Sequence, residues 1–211
     1  MRHALRTLAA TLTGAALVAL VPLAAAAQTG RPDTDPDWPC AQRKVPTISA
    51  GAVWSGPSLE EAGDWTKDNE AAALAQTLAS RRTQLSDVDK LLDDFAKTLG
   101  ADKNVRLTRV FAGVLEVIND QRSRILNGIT RYARGQQRFA ERIRQESDDL
   151  SKVKDTPTAP ETKETQDLET RLKWDTRIFT ERRQSLRYVC ETPTILEQRA
   201  FEIARKIQAR L

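Results

Sequence analysis

Arg124, Arg131, Arg134, Arg138 and Arg142 are the residues of this chain whose type and spacing come nearest to chemistry. At 3.6 residues per turn they fall along one broad side of a helix, where guanidinium groups bind phosphate, carboxylate or anionic lipid through paired hydrogen bonds. The same row also suits interhelical ion pairing, because Glu164, Asp167, Glu169, Asp175 and Glu181 follow on a second stretch of helical period. The acidic clusters match metal sites poorly. Asp33, Asp35 and Asp37 alternate like the start of a calcium loop, yet Trp38 stands where such a loop needs glycine and Lys44 where it needs a bidentate glutamate. Asp93-Asp94 and Asp148-Asp149 offer carboxylates to a hard cation, but adjacent helical residues diverge by about 100°.

Nucleophilic and redox chemistry find little to work with. The chain has one histidine, His3, so Ser80, Ser86, Ser123 and Ser185 have no imidazole to activate them, and no Gly-x-Ser-x-Gly elbow occurs. Its two cysteines, Cys40 and Cys190, are too far apart in sequence for a Cys-x-x-Cys redox motif. They are expected to form a structural disulfide, as a lone pair does in an oxidising compartment. Neither an enzymatic activity, a metal nor another cofactor is expected.

The compartment is read from the first 27 residues. Arg2 and Arg6 precede an apolar run through Leu17, Leu20 and Leu23, and Ala25-Ala26-Ala27 makes a small-residue cleavage site before Gln28. Residues 1–27 are therefore expected to be a secretory signal peptide, and the protein to be periplasmic. Removing 27 of 211 residues leaves 184, enough for one domain with a continuous core. It also removes two of the 33 basic residues, leaving 31 against 29 acidic. That near balance gives no support for nucleic-acid binding. No second apolar stretch approaches the length of a membrane span.

Two regions follow. Residues 28–65 form an expected irregular arm, in which Pro32, Pro36, Pro39, Pro46 and Pro57 are too closely spaced for helix or central strand. Trp38, Trp54 and Trp65 lie in this arm, which suggests that it packs on a body. Trp38 and Trp54 are candidate contacts to a partner. Residues 66–211 form an expected all-α bundle. Ala71, Leu74, Leu78, Leu85, Val88, Leu92, Phe95 and Leu99 keep helical spacing, with a joint near Arg82, a cap at Ser86 and a stop at Gly100.

From Lys103 to Val153 there is no proline, and Phe111, Ile118, Ile125, Tyr132 and Phe139 recur every seven residues. Such a seam needs a long partner. A turn at Asp155 to Glu161, with Pro157 and Pro160, leads to a returning seam of Leu168, Leu172, Phe179, Leu186 and Val189. Thr192-Pro193 reads as the start of a separate last helix. The fold expected is an elongated bundle built on a long antiparallel coiled-coil-like hairpin, although the same seam would serve a homodimer. Gly128 and Gly135, seven apart, each cost about 1 kcal/mol in helix propensity and imply a close-packed neighbour, or a groove.

The function expected is that of a non-catalytic exported adaptor or scaffold that binds another envelope protein. The alternatives are a binding module for an anionic ligand or envelope surface through the arginine row, and a carboxylate-based metal-binding protein.

Overall fold

The computed structural model describes residues 35–155 and 162–211. The expected leader, the arm up to Thr34 and the proline-containing turn at 156–161 lie outside the described residues. Among the described residues every regular element is helical: α1 (Ala50–Val53), α2 (Asn69–Ala79), α3 (Val88–Ala96), α4 (Lys103–Lys154) and α5 (Lys163–Gln208). Two short 3₁₀ turns, Trp65–Lys67 and Gly100–Asp102, join them.

The hairpin is α4 against α5. With 52 residues rising 1.5 Å each, α4 is about 78 Å long. Its partners on α5 descend in number as α4 ascends, which makes the pair antiparallel. Arg122 donates to the Pro193 carbonyl (3.4 Å), Tyr132 Oη to the Arg182 carbonyl (3.2 Å), Arg142 pairs with Asp175 (2.6 Å), and Lys154 with Glu169 (2.5 Å). The all-α hairpin expected from the heptads is the observed architecture.

The core lies at one end of this hairpin, where α2, α3 and the arm join it. Leu78, Val88, Leu92, Leu107, Val110, Phe111, Val114, Ile118, Leu196, Ile203 and Ile207 are fully buried there. Asp68 starts α2 by accepting from the Ala71 N–H (3.1 Å), and a bidentate pair from Arg106 (2.7 Å each) ties that cap to α4. This pairing holds the Asp68 carboxyl at about 2, below its usual 3.8. At the other end of α2, buried Arg199 of α5 donates to the Leu78 carbonyl through Nε (2.8 Å) and Nη2 (2.6 Å), and to the Thr83 carbonyl (2.9 Å). A guanidinium thus serves the carbonyls that a helix end leaves unpaired. Burial pushes Arg199 below its ordinary value.

Three expectations need correction. The joint between α2 and α3 falls near Arg82, but Ser86 does not cap α3: Asp87 holds the N-cap position without a side-chain cap bond, and Ser86 Oγ donates to it. Leu85 and Val189, assigned to buried seams, are 37% and 44% exposed. The last helix is not separate, because α5 runs through Pro193. Leu186, Pro193, Ala200 and Ile207 are seven apart, so the apolar seam passes the proline in phase, and Pro193 is itself buried. Packing of that seam outweighs the roughly 3 kcal/mol that an interior proline costs.

Gly113 shows what close approach to α4 requires. A Cβ there would lie 2.8 Å from Ala75 Cβ and 2.8 Å from the Trp65 ring. The absent side chain lets α2 and an arm tryptophan touch the helix backbone, and Trp65 Nε1 completes the contact by donating to Glu116 (2.8 Å).

Candidate interaction surface

Beyond the core the hairpin is only two helices thick, and its two sides differ. One side carries the arm. Asn119 of α4 grips the extended backbone from both directions: the Ile48 N–H donates to its Oδ1 (2.8 Å) and its Nδ2 donates to the Ile48 carbonyl (3.0 Å). Arg122 donates to the Val45 carbonyl, and Lys44 bridges Asp35 (2.6 Å) and Thr130 Oγ1 (3.1 Å). Arg122 is buried, with Glu197 3.7 Å away, and its desolvation pushes the guanidinium below its ordinary value. Cys40 and Cys190 are joined, pinning the arm to α5 across a sequence separation of 150 residues. Asn119 and Arg122 were not singled out in the sequence; the signal was two polar residues beside the apolar seam at Ile118 and Ile125.

The five arginines separate into two groups. Arg124 pairs with Asp120 of its own helix, Arg134 reaches Asp37 of the arm (2.6 Å), and Arg142 pairs with Asp175 of α5. Arg131 and Arg138 are exposed and have no ion-pair partner among the described residues. Of the tryptophans, Trp38 is half-buried on the arm side, where its Nε1 donates to the Gln42 carbonyl (2.6 Å). Trp54 stacks on Phe111 with ring centroids 4.3 Å apart, a contact directed into the core.

The opposite side of the hairpin is bare. Ile125, Gly128, Ile129 and Tyr132 of α4 and Ser185, Leu186 and Val189 of α5 line an apolar cleft of about 330 Å³. Among the described residues, apart from the adjoining backbone of α4 and the two chain neighbours, nothing lies within 4 Å of where a Cβ on Gly128 would stand, and at Gly135 only the Arg138 guanidinium comes as near as 4.0 Å. The close-packed neighbour expected at these glycines is therefore found at Gly113 instead. Elsewhere along its length α5 exposes Trp174 (56%), Tyr188 (75%) and Ile195 (47%).

Of the acidic candidates Asp33 lies outside the described residues, and five others are engaged in ion pairs, Asp149 with Lys152 among them. Asp35 and Asp37 pair with Lys44 and Arg134, Asp93 with Arg210, and Asp94 with Lys90 and Lys97. Among the described residues no three His, Cys, Asp or Glu side chains converge to hold a metal. Ser185 Oγ, at the cleft edge, donates to the Glu181 carbonyl of its own helix (3.0 Å). The surface thus offers apolar contact and positive charge. No family model matches this chain, and neither a curated protein nor a solved structure with significant similarity to it was found.

Proposed function

We propose that this protein is a non-catalytic adaptor of the bacterial periplasm, which binds another envelope protein through the bare side of its helical hairpin. The observation that carries the reading is the open apolar cleft between α4 and α5, bordered by exposed Val189 and Tyr132. Isolated surface apolar residues are ordinary, but a lined cleft with aromatic neighbours is the kind of surface that proteins cover. The signal-like leader, an intrachain disulfide and the absence of any helix among the described residues long and apolar enough to cross a membrane support the location.

Crosslinking in intact cells followed by mass spectrometry tests the reading. A reproducible envelope partner joined through α4 or α5 is the expected result; self-crosslinks alone would overturn it. A second reading, binding of an anionic small ligand or envelope surface, is favoured by unpaired Arg131 and Arg138. Charge reversal at both positions separates the two: loss of anion binding at an unchanged Tm, with the protein crosslinks retained, would favour the second.

A further inference from the structure

We infer that the bare side of the hairpin takes an acidic, alanine-rich amphipathic helix from the partner, docked as an end-to-end continuation of α2. The inference rests on the adaptor reading and names the kind of segment that would be bound.

The position is defined by α2 itself. α2 lies in front of both hairpin helices: its Ala75 meets Gly113 of α4, and its Leu78 carbonyl takes Arg199 of α5. At 100° per residue Gly128 and Gly135 fall within about 60° of Gly113 around the α4 axis, and Ser185 falls within about 40° of Arg199 around α5. The open cleft is therefore the same lane, beyond the point where α2 ends at Ala79. A helix fills the lower part. Above it α4 repeats the backbone opening at Gly128, and at Gly135 with only the Arg138 guanidinium near, 4.0 Å away.

The charge is defined in the same way. Arg106 lies within about 40° of Arg131 and Arg138 around α4, and α2 answers it with Asp68 (2.7 Å) and Glu70 (2.8 Å). An occupant of the upper lane meets Arg131 and Arg138, which no carboxylate among the described residues answers. Arg182, whose guanidinium lies 5.3 Å from the Phe139 ring centroid, adds a third positive group without a carboxylate partner among the described residues. Small residues suit the glycines, as in α2, NEAAALAQTLA, and carboxylates suit the arginines, as Asp68 and Glu70 at the start of α2 suit Arg106. A second copy of this chain fits less well where its α4 would face this α4, since that arrangement sets one basic flank against another.

The test is fluorescence anisotropy on the full disulfide-bonded chain, using a labelled, side-chain-stapled 21-residue helix with Ala and Leu on one face and Glu on both flanks. A second peptide has Lys in place of every Glu. Saturable binding of the Glu peptide is expected, weakened at least tenfold in R131E/R138E and by Gly128→Leu, with the Lys peptide preferring R131E/R138E. All three changes are at positions without packing partners, and an unchanged circular dichroism melt verifies each fold. No saturable binding of the Glu peptide, equal binding of both peptides, or concentration-dependent dimerisation on the same face by sedimentation would overturn the inference. The adaptor reading fails separately, if no partner crosslinks in cells. Partner crosslinks confined to the arm side would overturn the bare-side reading together with this inference.

Discussion

Replacing glycine by alanine at three places on α4 is predicted to have opposite effects on stability. Alanine gains about 1 kcal/mol over glycine in a helix interior, and this gain is shared by all three sites. At Gly128 and Gly135 nothing opposes it, because the new methyl enters open space or ordinary contact distance. At Gly113 the methyl would sit 2.8 Å from Ala75 Cβ and 2.8 and 2.9 Å from two carbons of the Trp65 ring, so parts must move by most of an ångström. One of those atoms is fixed to a helix backbone and the others to a rigid indole, and overpacking of this kind costs about 1–3 kcal/mol. Gly113→Ala is therefore expected to be neutral to destabilising by about 2 kcal/mol. The gap between it and Gly128→Ala isolates the clash, at about 1–3 kcal/mol. Urea denaturation supplies the numbers, and thermal melts give the same order at about 2–4 °C per kcal/mol for a chain of this size. Stabilisation by Gly113→Ala equal to that at Gly128 would refute the close contact of α2, Trp65 and α4.

Further perturbations probe other joints. Arg199→Met leaves the Leu78 and Thr83 carbonyls without their donor in a buried setting, so a loss of about 2–3 kcal/mol in urea denaturation is expected. Cys40→Ser with Cys190→Ser opens a loop whose closure the chain-entropy relation values at about 5 kcal/mol, an upper figure. The melting temperature should fall while far-ultraviolet circular dichroism keeps its helical amplitude, since α4 and α5 pair without the bridge. Asp68, held at about 2 against 3.8, contributes stability that is present above about pH 4 and lost as pH falls towards 2. That displacement corresponds to at most about 2.5 kcal/mol, reduced to about 1–2 by solvent screening. The stability difference between the natural chain and Asp68→Asn should shrink across that window and stay flat above pH 5.

The all-α hairpin was legible because its seam repeats every seven residues at five successive positions, from Phe111 to Phe139. Pro193 was misread as a helix start because its local cost is visible in sequence, whereas the packing that overrides it is not. Gly128 and Gly135 pointed to a groove, but the glycine that does receive a neighbour is Gly113, hidden among Phe111, Val114 and Leu115. The arginine row was legible as a row only. Arg124 has Asp120 four residues before it on its own helix, whereas engagement of Arg134 and Arg142 depended on where Asp37 and Asp175 fall, and that is a matter of register between elements. Asn119 and Arg199 act on backbone carbonyls and amides, which have no signature in side-chain spacing.

On the reading proposed here, the bare side of the hairpin, and not the arm side, meets a partner. The most direct measurement replaces Val189 in one strain and Gln42 in another by the photoreactive amino acid p-benzoylphenylalanine, and compares the adducts formed on irradiating intact cells. Both positions are exposed, one beside the open cleft and the other on the arm. A discrete adduct of one envelope protein from position 189, and none from position 42, is the result predicted. No adduct from 189, or the same adduct from both positions, would contradict it.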